Sequence, residues 1–163
     1  MRVGLIGGGF VAGIHARSYQ RIRDIQVNLQ AVAAVPLPDA QAFAEQFGIT
    51  DAYDDYREVL LRDDIDMVDL CVPNNLHEPF VIAAAQAGKH IICEKPLTGY
   101  FGSPGEEQVG RTAKKAMLAE SLKSCDRMLA AVHRAGVKLM YAENWLYCPA
   151  VQKAMRLVCL VSF

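Results

Sequence analysis

The stretch Val3-Gly4-Leu5-Ile6-Gly7-Gly8-Gly9-Phe10-Val11-Ala12-Gly13 constrains this chain more than any other. A short apolar run of this kind reads as a strand buried in a parallel sheet. Three consecutive glycines follow it. Val11, Ile14 and Ile22 then recur at helical spacing, with Ala16 and Ser18 as small residues alongside. The pattern predicts strand, tight turn, helix. Gly7 makes the turn, and Gly9 leaves room for a pyrophosphate beside the backbone. Ala12 fills the third position, where a small residue lets helix and strand pack closely. The free N–H groups at the helix start, around Phe10 and Val11, then face a phosphate at the positive end of the helix dipole. This is the G-x-G-x-x-A form of the dinucleotide fingerprint. A P-loop is excluded, because no Gly-Lys-Ser/Thr follows.

The rest of the chain narrows the class. Its 163 residues suffice for one domain with a real core. Hydrophobic residues at 52% and charged residues at 21% give an ordinary globular balance. A formal net charge of −1 gives no reason to expect nucleic acid or an anionic membrane as partner. No apolar run approaches the roughly 20 residues of a membrane span, and Met1-Arg2 ahead of a strand is no signal peptide. Cys71, Cys93, Cys125, Cys148 and Cys159 are scattered, with no C-x-x-C pair. They read as free thiols in a reducing cytoplasm, and no metal site is expected.

Strands and helices alternate along the chain. Val27 to Val35 reads as the second strand, ended by Pro36 and Pro38. Asp39 can cap a helix running to Phe47, with Gly48 as its stop. A short third strand falls near Ala52-Tyr53 and a short helix over Tyr56 to Leu61. Asp66 to Val72 is a fourth strand closed by Pro73-Asn74-Asn75, and a helix from about His77 ends at Gly88. His90-Ile91-Ile92-Cys93 is a fifth strand running into Glu94-Lys95-Pro96. The alternation predicts an α/β fold, a doubly wound parallel sheet. Ligands of such sheets sit beyond the carboxyl ends of the strands. The glycine turn, Pro73-Asn74-Asn75 and Glu94-Lys95-Pro96 all fall at that edge.

Gly99 to Gly110 lacks periodicity, although Ser103-Pro104-Gly105-Glu106 has the form of a capping box. A helix follows with Leu118, Leu122, Cys125, Leu129 and Val132 on one face and Gly136 as its stop. Val137 to Tyr141 reads as a sixth strand and Pro149 to Val158 as the start of another helix. The last seven residues, from Leu157 to Phe163, are almost wholly apolar, so that end packs inward or continues into something else.

Cys71-Val72-Pro73-Asn74-Asn75-Leu76-His77, with Ala87-Gly88-Lys89-His90-Ile91-Ile92-Cys93-Glu94-Lys95-Pro96-Leu97, closely resembles the Gfo/Idh/MocA family of NAD(P)-dependent oxidoreductases. That family includes glucose–fructose oxidoreductase and inositol dehydrogenase. The likeness runs from the first strand to Leu97 and resumes from Leu118 to Arg156. It implies hydride transfer between a nicotinamide and a sugar or polyol hydroxyl, with NAD or NADP as cofactor. It also implies a Rossmann domain over residues 1–141, with an insertion at about 99–117. Residues 142–163 would be the start or stub of a second, substrate-binding domain that carries further catalytic residues and the interface of a homo-oligomer.

By the same resemblance Lys95 holds the reacting hydroxyl or the cofactor edge, where it can polarise or deprotonate an alcohol. Glu94 orients Lys95 or ends the strand, and Pro96 fixes the turn. Pro73, Asn74 and Asn75 line the ribose and nicotinamide side, and His77 packs near the cofactor. His15, on the first helix, reads as structural, and Asn144 and Trp145 border the pocket. One departure stands out. Ala34 occupies the end of the second strand, where NAD-specific relatives place an acid for the ribose hydroxyls, and Asp39 lies too far along to replace it. The choice between NAD and NADP stays open. A reading of another class is a non-catalytic nucleotide-binding module.

Overall fold

Short apolar runs bounded by glycine and proline become the strands of one sheet. The computed structural model describes the backbone of residues 1–161 and the side chains of residues 1–158. Among these, the strands are β1 (Arg2–Ile6), β2 (Asn28–Ala33), β3 (Asp51–Tyr53), β4 (Met67–Leu70), β5 (His90–Glu94) and β6 (Leu139–Ala142). The helices are α1 (Phe10–Tyr19), α2 (Leu37–Phe47), α3 (Tyr56–Leu60), α4 (His77–Gln86), α5 (Lys114–Ala135) and α6 (Pro149–Val161). Every strand pair is parallel, in the order β3-β2-β1-β4-β5-β6. The chain winds outward from β1 on one side and returns to β4 on the other. The reversal leaves a crevice beyond the carboxyl ends of β1 and β4.

Helices cover both faces, which is why the strands read as continuous apolar runs. Leu5 and Val32 pack with Ala12, Ala16, Phe43 and Phe47 of α1 and α2. Ile6, Val68, Leu70 and Ile91 pack with Val59, Val81, Met128 and Ala131 of α3, α4 and α5. The expected doubly wound sheet is therefore present, with strand ends displaced by at most two residues. Gly48 and Gly136 stop α2 and α5, both at φ 67°.

Four local expectations change. In α1 the buried residues are Ala12, Gly13 and Ala16, while Ile14 points outward, 42% exposed. Small side chains let this helix approach the sheet closely. In α5 the residues on the core are Ser124, Met128, Ala131 and Val132, whereas Leu118, Leu122 and Leu129 are 59%, 55% and 44% exposed. The helix carries two apolar stripes, and Met128, Ala131 and Val132 share the core with Val81, Ala84 and Ala85 of α4. Asp39 does not cap α2, whose N-cap is Pro36, and lies in its first turn. The Ser103–Glu106 segment starts no helix. Glu106 accepts from the Ser103 N–H (3.0 Å) and the Tyr100 hydroxyl (2.5 Å) and also bonds Thr112, so it folds the loop onto itself. Of the apolar end, Leu157 and Val158 are exposed, and the side chains from Cys159 to Phe163 lie outside the described residues.

Candidate functional site

The first groove is built by backbone. Gly7 turns the chain after β1 at φ 113°, a left-handed value that suits glycine. A Cβ here would stand 2.2 Å from the Cys71 carbonyl oxygen. The turn thus rests directly on the chain leaving β4. Gly9 is the N-cap of α1. A Cβ on it would meet nothing within 4 Å, and no side chain caps the helix. The first-turn N–H groups of α1 are left to a ligand at the positive end of the dipole, and a pyrophosphate fits that opening.

This groove has a volume of about 450 Å³. Its walls are Gly7, Gly8 and Gly9, then Ala33-Ala34-Val35 after β2, then Cys71-Val72-Pro73 after β4. Ala34 stands at the end of β2 without a carboxylate, as expected. The spacing argument against Asp39 is corrected, because α2 begins directly after Pro36 and its first turn brings Asp39 into the groove wall. Asp54 lines the same groove, and neither Lys nor Arg does. Phe10 opens α1 and is 81% exposed, and Ala12 is fully buried.

A second cavity of about 460 Å³ is lined by residues of α1, β5, β6 and the 3-10 turn Asn144–Tyr147. Val11, Glu94 and Lys95 line it, as do Ile14, His15 and Tyr141. Asn144 lines it as well, while Trp145 does not.

Between the two cavities lies a polar network. Asp69, in the middle of the apolar strand β4, is fully buried. Its Oδ2 lies 2.8 Å from His15 Nδ1 and accepts from the Tyr19 hydroxyl at 2.8 Å. His15 Nε2 lies 3.1 Å from Glu94 Oε1, and Glu94 Oε2 accepts from the Lys95 N–H at 2.9 Å. Cys71 Sγ is 3.6 Å from His15 Nδ1. The hydrogen bond to Asp69 raises the His15 pKa against the opposing effect of burial, and the charges of Asp69 and Glu94 add to the rise. Burial pushes the Cys71 thiol up, and the Cys93 thiol up to about 12, so neither is a nucleophile at neutral pH. His15, Asp69 and Cys71 each place a ligand atom within 4.8 Å of the others. Cysteine spacing gave no hint of this cluster, and its atoms are spent on one another.

Residues 1–118 match the oxidoreductase family with an NAD-binding Rossmann fold, Gfo/Idh/MocA. The chain belongs to that family. It is 41% identical over 164 residues to levoglucosan dehydrogenase of Pseudarthrobacter phenanthrenivorans, covering 97% of this chain and 37% of that protein. It is 38% identical over 98 residues to myo-inositol 2-dehydrogenase of Thermotoga maritima, covering 60% of this chain and 29% of that one. Among solved structures, levoglucosan dehydrogenase in complex with NADH superposes with a TM-score of 0.79 at 30% identity, over 97% of this chain and 38% of the other. A 3-ketoreductase from Actinomadura kijaniata in complex with TDP-benzene and NADP gives 0.76 at 25% identity, over 100% of this chain and 44% of the other. This chain thus spans well under half the length of these relatives.

Within this Gfo/Idh/MocA domain the remaining expected site residues separate. His77 is fully buried at the start of α4. Its Nδ1 lies 2.9 Å from the Pro96 carbonyl oxygen and its Nε2 3.0 Å from that of Val72. The ring ties the loop after β4 to the loop after β5 and lines neither cavity. Asn74 and Asn75 sit exposed in a 3-10 turn, line neither cavity and do not cap α4. Lys95 is exposed, and the Lys95–Pro96 peptide bond is cis. Sequence reasoning missed Asp69 and Tyr19 and did not place His15 at the site. The available signal was a carboxylate inside a buried strand, which must find partners.

Proposed function

We propose that this chain is the nicotinamide-dinucleotide-binding part of a dehydrogenase acting on a secondary hydroxyl of a sugar or polyol. The observation that carries the proposal is the placement of Glu94 and Lys95 on the wall of a cavity next to an uncapped, glycine-rich helix start. The names of the relatives supply the substrate class. A bound nicotinamide provides the hydride acceptor or donor. Gly7 and Gly9, with the first-turn amides of Phe10, Val11 and Ala12, hold the pyrophosphate. Asp39 accepts from the ribose hydroxyls that Ala34 cannot reach. Pro73 borders the nicotinamide side, with Asn74 and Asn75 in the exposed turn that follows it, and His77, Glu94 and Pro96 keep that edge in shape. Lys95 Nζ holds the substrate hydroxyl and carries its proton. Residues 1–141 form the cofactor unit, and residues 142–163 lead toward a substrate-binding region.

Two carboxylates and no cation on the groove wall favour NAD over NADP, whose 2′-phosphate they repel. No helix of the described residues is long and apolar enough to cross a membrane. A cytoplasmic setting accords with the free thiols of Cys71, Cys93, Cys125 and Cys148. Exposed Leu118, Leu122 and Leu129 on α5 suit association with a second copy. The test is a calorimetric titration of the folded chain with NADH and with NADPH. Saturable binding of NADH, at least about tenfold tighter than NADPH, is expected from one charge-assisted hydrogen bond gained and one repulsion avoided. Failure of both to bind at millimolar concentration overturns the proposal.

A further inference from the structure

His15, Asp69 and Tyr19 take no part in the reaction proposed above, yet they are bonded into the back of its Lys95 loop. We propose that His15 is a positioning residue, which anchors Glu94 to the buried Asp69 and thereby sets the backbone of Lys95 at the edge of the second cavity. This role rests on the reading of Lys95 given above, whereas the linkage itself does not.

The argument starts with Asp69. A carboxylate without solvent contact in the sheet needs hydrogen-bond donors, and it has Tyr19 Oη and His15 Nδ1, each at 2.8 Å. The other ring nitrogen faces a second carboxylate, Glu94, at 3.1 Å. Both nitrogens donate only in the imidazolium. A neutral ring leaves one lone pair facing a carboxylate oxygen. Asp69 has the shorter contact and is fully buried, so the neutral ring keeps its proton on Nδ1 and releases Glu94. Glu94 bonds the Lys95 N–H through its other oxygen at 2.9 Å, so the release reaches the Lys95 backbone. The groups facing the ring are Tyr19 from α1, Asp69 and Cys71 from β4 and its end, and Glu94 from β5. Lys95, Tyr141, Glu143 and Tyr147 share its cavity. The raised His15 pKa agrees with a cation held between two carboxylates.

The test is NMR on the full chain, following the His15 ring and the Lys95 amide across the titration of the ring. The Lys95 amide resonance is expected to shift with the His15 midpoint. After correction for intrinsic exchange, its protection factor should fall about tenfold above that midpoint. In His15→Gln the pH response of Lys95 should vanish. In Asp69→Asn the His15 midpoint should fall. Because Asp69 is fully buried and its replacement can unfold the chain, the wild-type titration and His15→Gln decide the matter. A Lys95 amide that is flat through the His15 titration, or one that still responds in His15→Gln, overturns the inference. An NADH titration in parallel separates the two proposals. Loss of the linkage with NADH binding intact removes only the role of His15. An intact linkage without NADH binding removes the cofactor reading.

Discussion

The two cavities flank the start of the same helix and are built in opposite ways. The first is walled at its centre by glycines and strand-end backbone, beside a helix start that no side chain caps. The second is walled by isoleucine, tyrosine, Glu94 and Lys95, and its His15 bonds Asp69 and Glu94, 54 and 79 positions away in the chain. Backbone walls are rigid and tolerate little change in side-chain volume. Side-chain walls can be retuned, and they respond to protonation. A fold that binds one common ligand and varies the other gains from exactly such a division of labour, since the chemistry sits where substitution is cheapest.

The largest effect should come from Gly7→Ala. The added methyl would stand 2.2 Å from a backbone oxygen at a φ that alanine rarely adopts. Urea denaturation should show a loss of about 3 kcal/mol or more, from strain and overpacking together. A loss below about 1 kcal/mol would mean the first groove is not the rigid half of the pair.

Asp39→Asn probes the side chain to which the proposed function gives the ribose hydroxyls. Asp39 is exposed, so stability should stay within about 0.5 kcal/mol. NADH affinity should fall about tenfold, the worth of a charge-assisted hydrogen bond, while NADPH affinity rises or holds. Equal weakening of both cofactors would assign Asp39 no part in the choice between them.

The contrast between the cavities also explains what the sequence disclosed. The succession of strands and helices, the glycine turn, the stops at Gly48 and Gly136 and the alignment of three loops at one sheet edge were legible, because each depends on local pattern or on general rules of parallel sheets. Those features supply the glycine turn and the Cys71-Val72-Pro73 wall of the first groove. The second cavity was legible only at Val11, Glu94-Lys95 and Asn144. No periodicity joins His15 to Asp69 or to Glu94, because such pairs exist only once β4 and β5 lie side by side. Helix rotation was equally hidden. In α5 the spacing shows apolar stripes, but whether Leu122 or Met128 faces α4 is decided by fit against that neighbour. Asp39 was misplaced for a similar reason, since distance along the chain said nothing about where the first turn of α2 would point.

Protonation should separate the cavities further. The folded pKa of His15 is raised, chiefly by its bond to Asp69. Its contribution to stability is fully present below the unfolded value of about 6.5 and is lost as pH rises through the higher folded value. His15→Gln should therefore cost about 1 kcal/mol at pH 6 and progressively less at alkaline pH, as read by denaturation at a series of pH values. A cost that grows with pH would reverse the sign and remove the imidazolium from the network.

The smallest effect should come from the apolar wall of the second cavity. Ile14 is 42% exposed and lines that cavity, while Ala16, two residues on, is fully buried against the sheet. Burial and not hydrophobicity sets the stability at stake. Ile14→Ala should change stability by no more than about 0.5 kcal/mol, whereas Ala16→Leu forces extra volume into a packed seam and should cost about 1–3 kcal/mol. Thermal unfolding of the two variants gives the comparison directly. Similar losses in both would show that the second cavity is part of the core. A near-silent Ile14→Ala beside a damaging Ala16→Leu would show one helix serving both regions, with its small residues fixing the frame and its large ones left free for whatever the cavity holds.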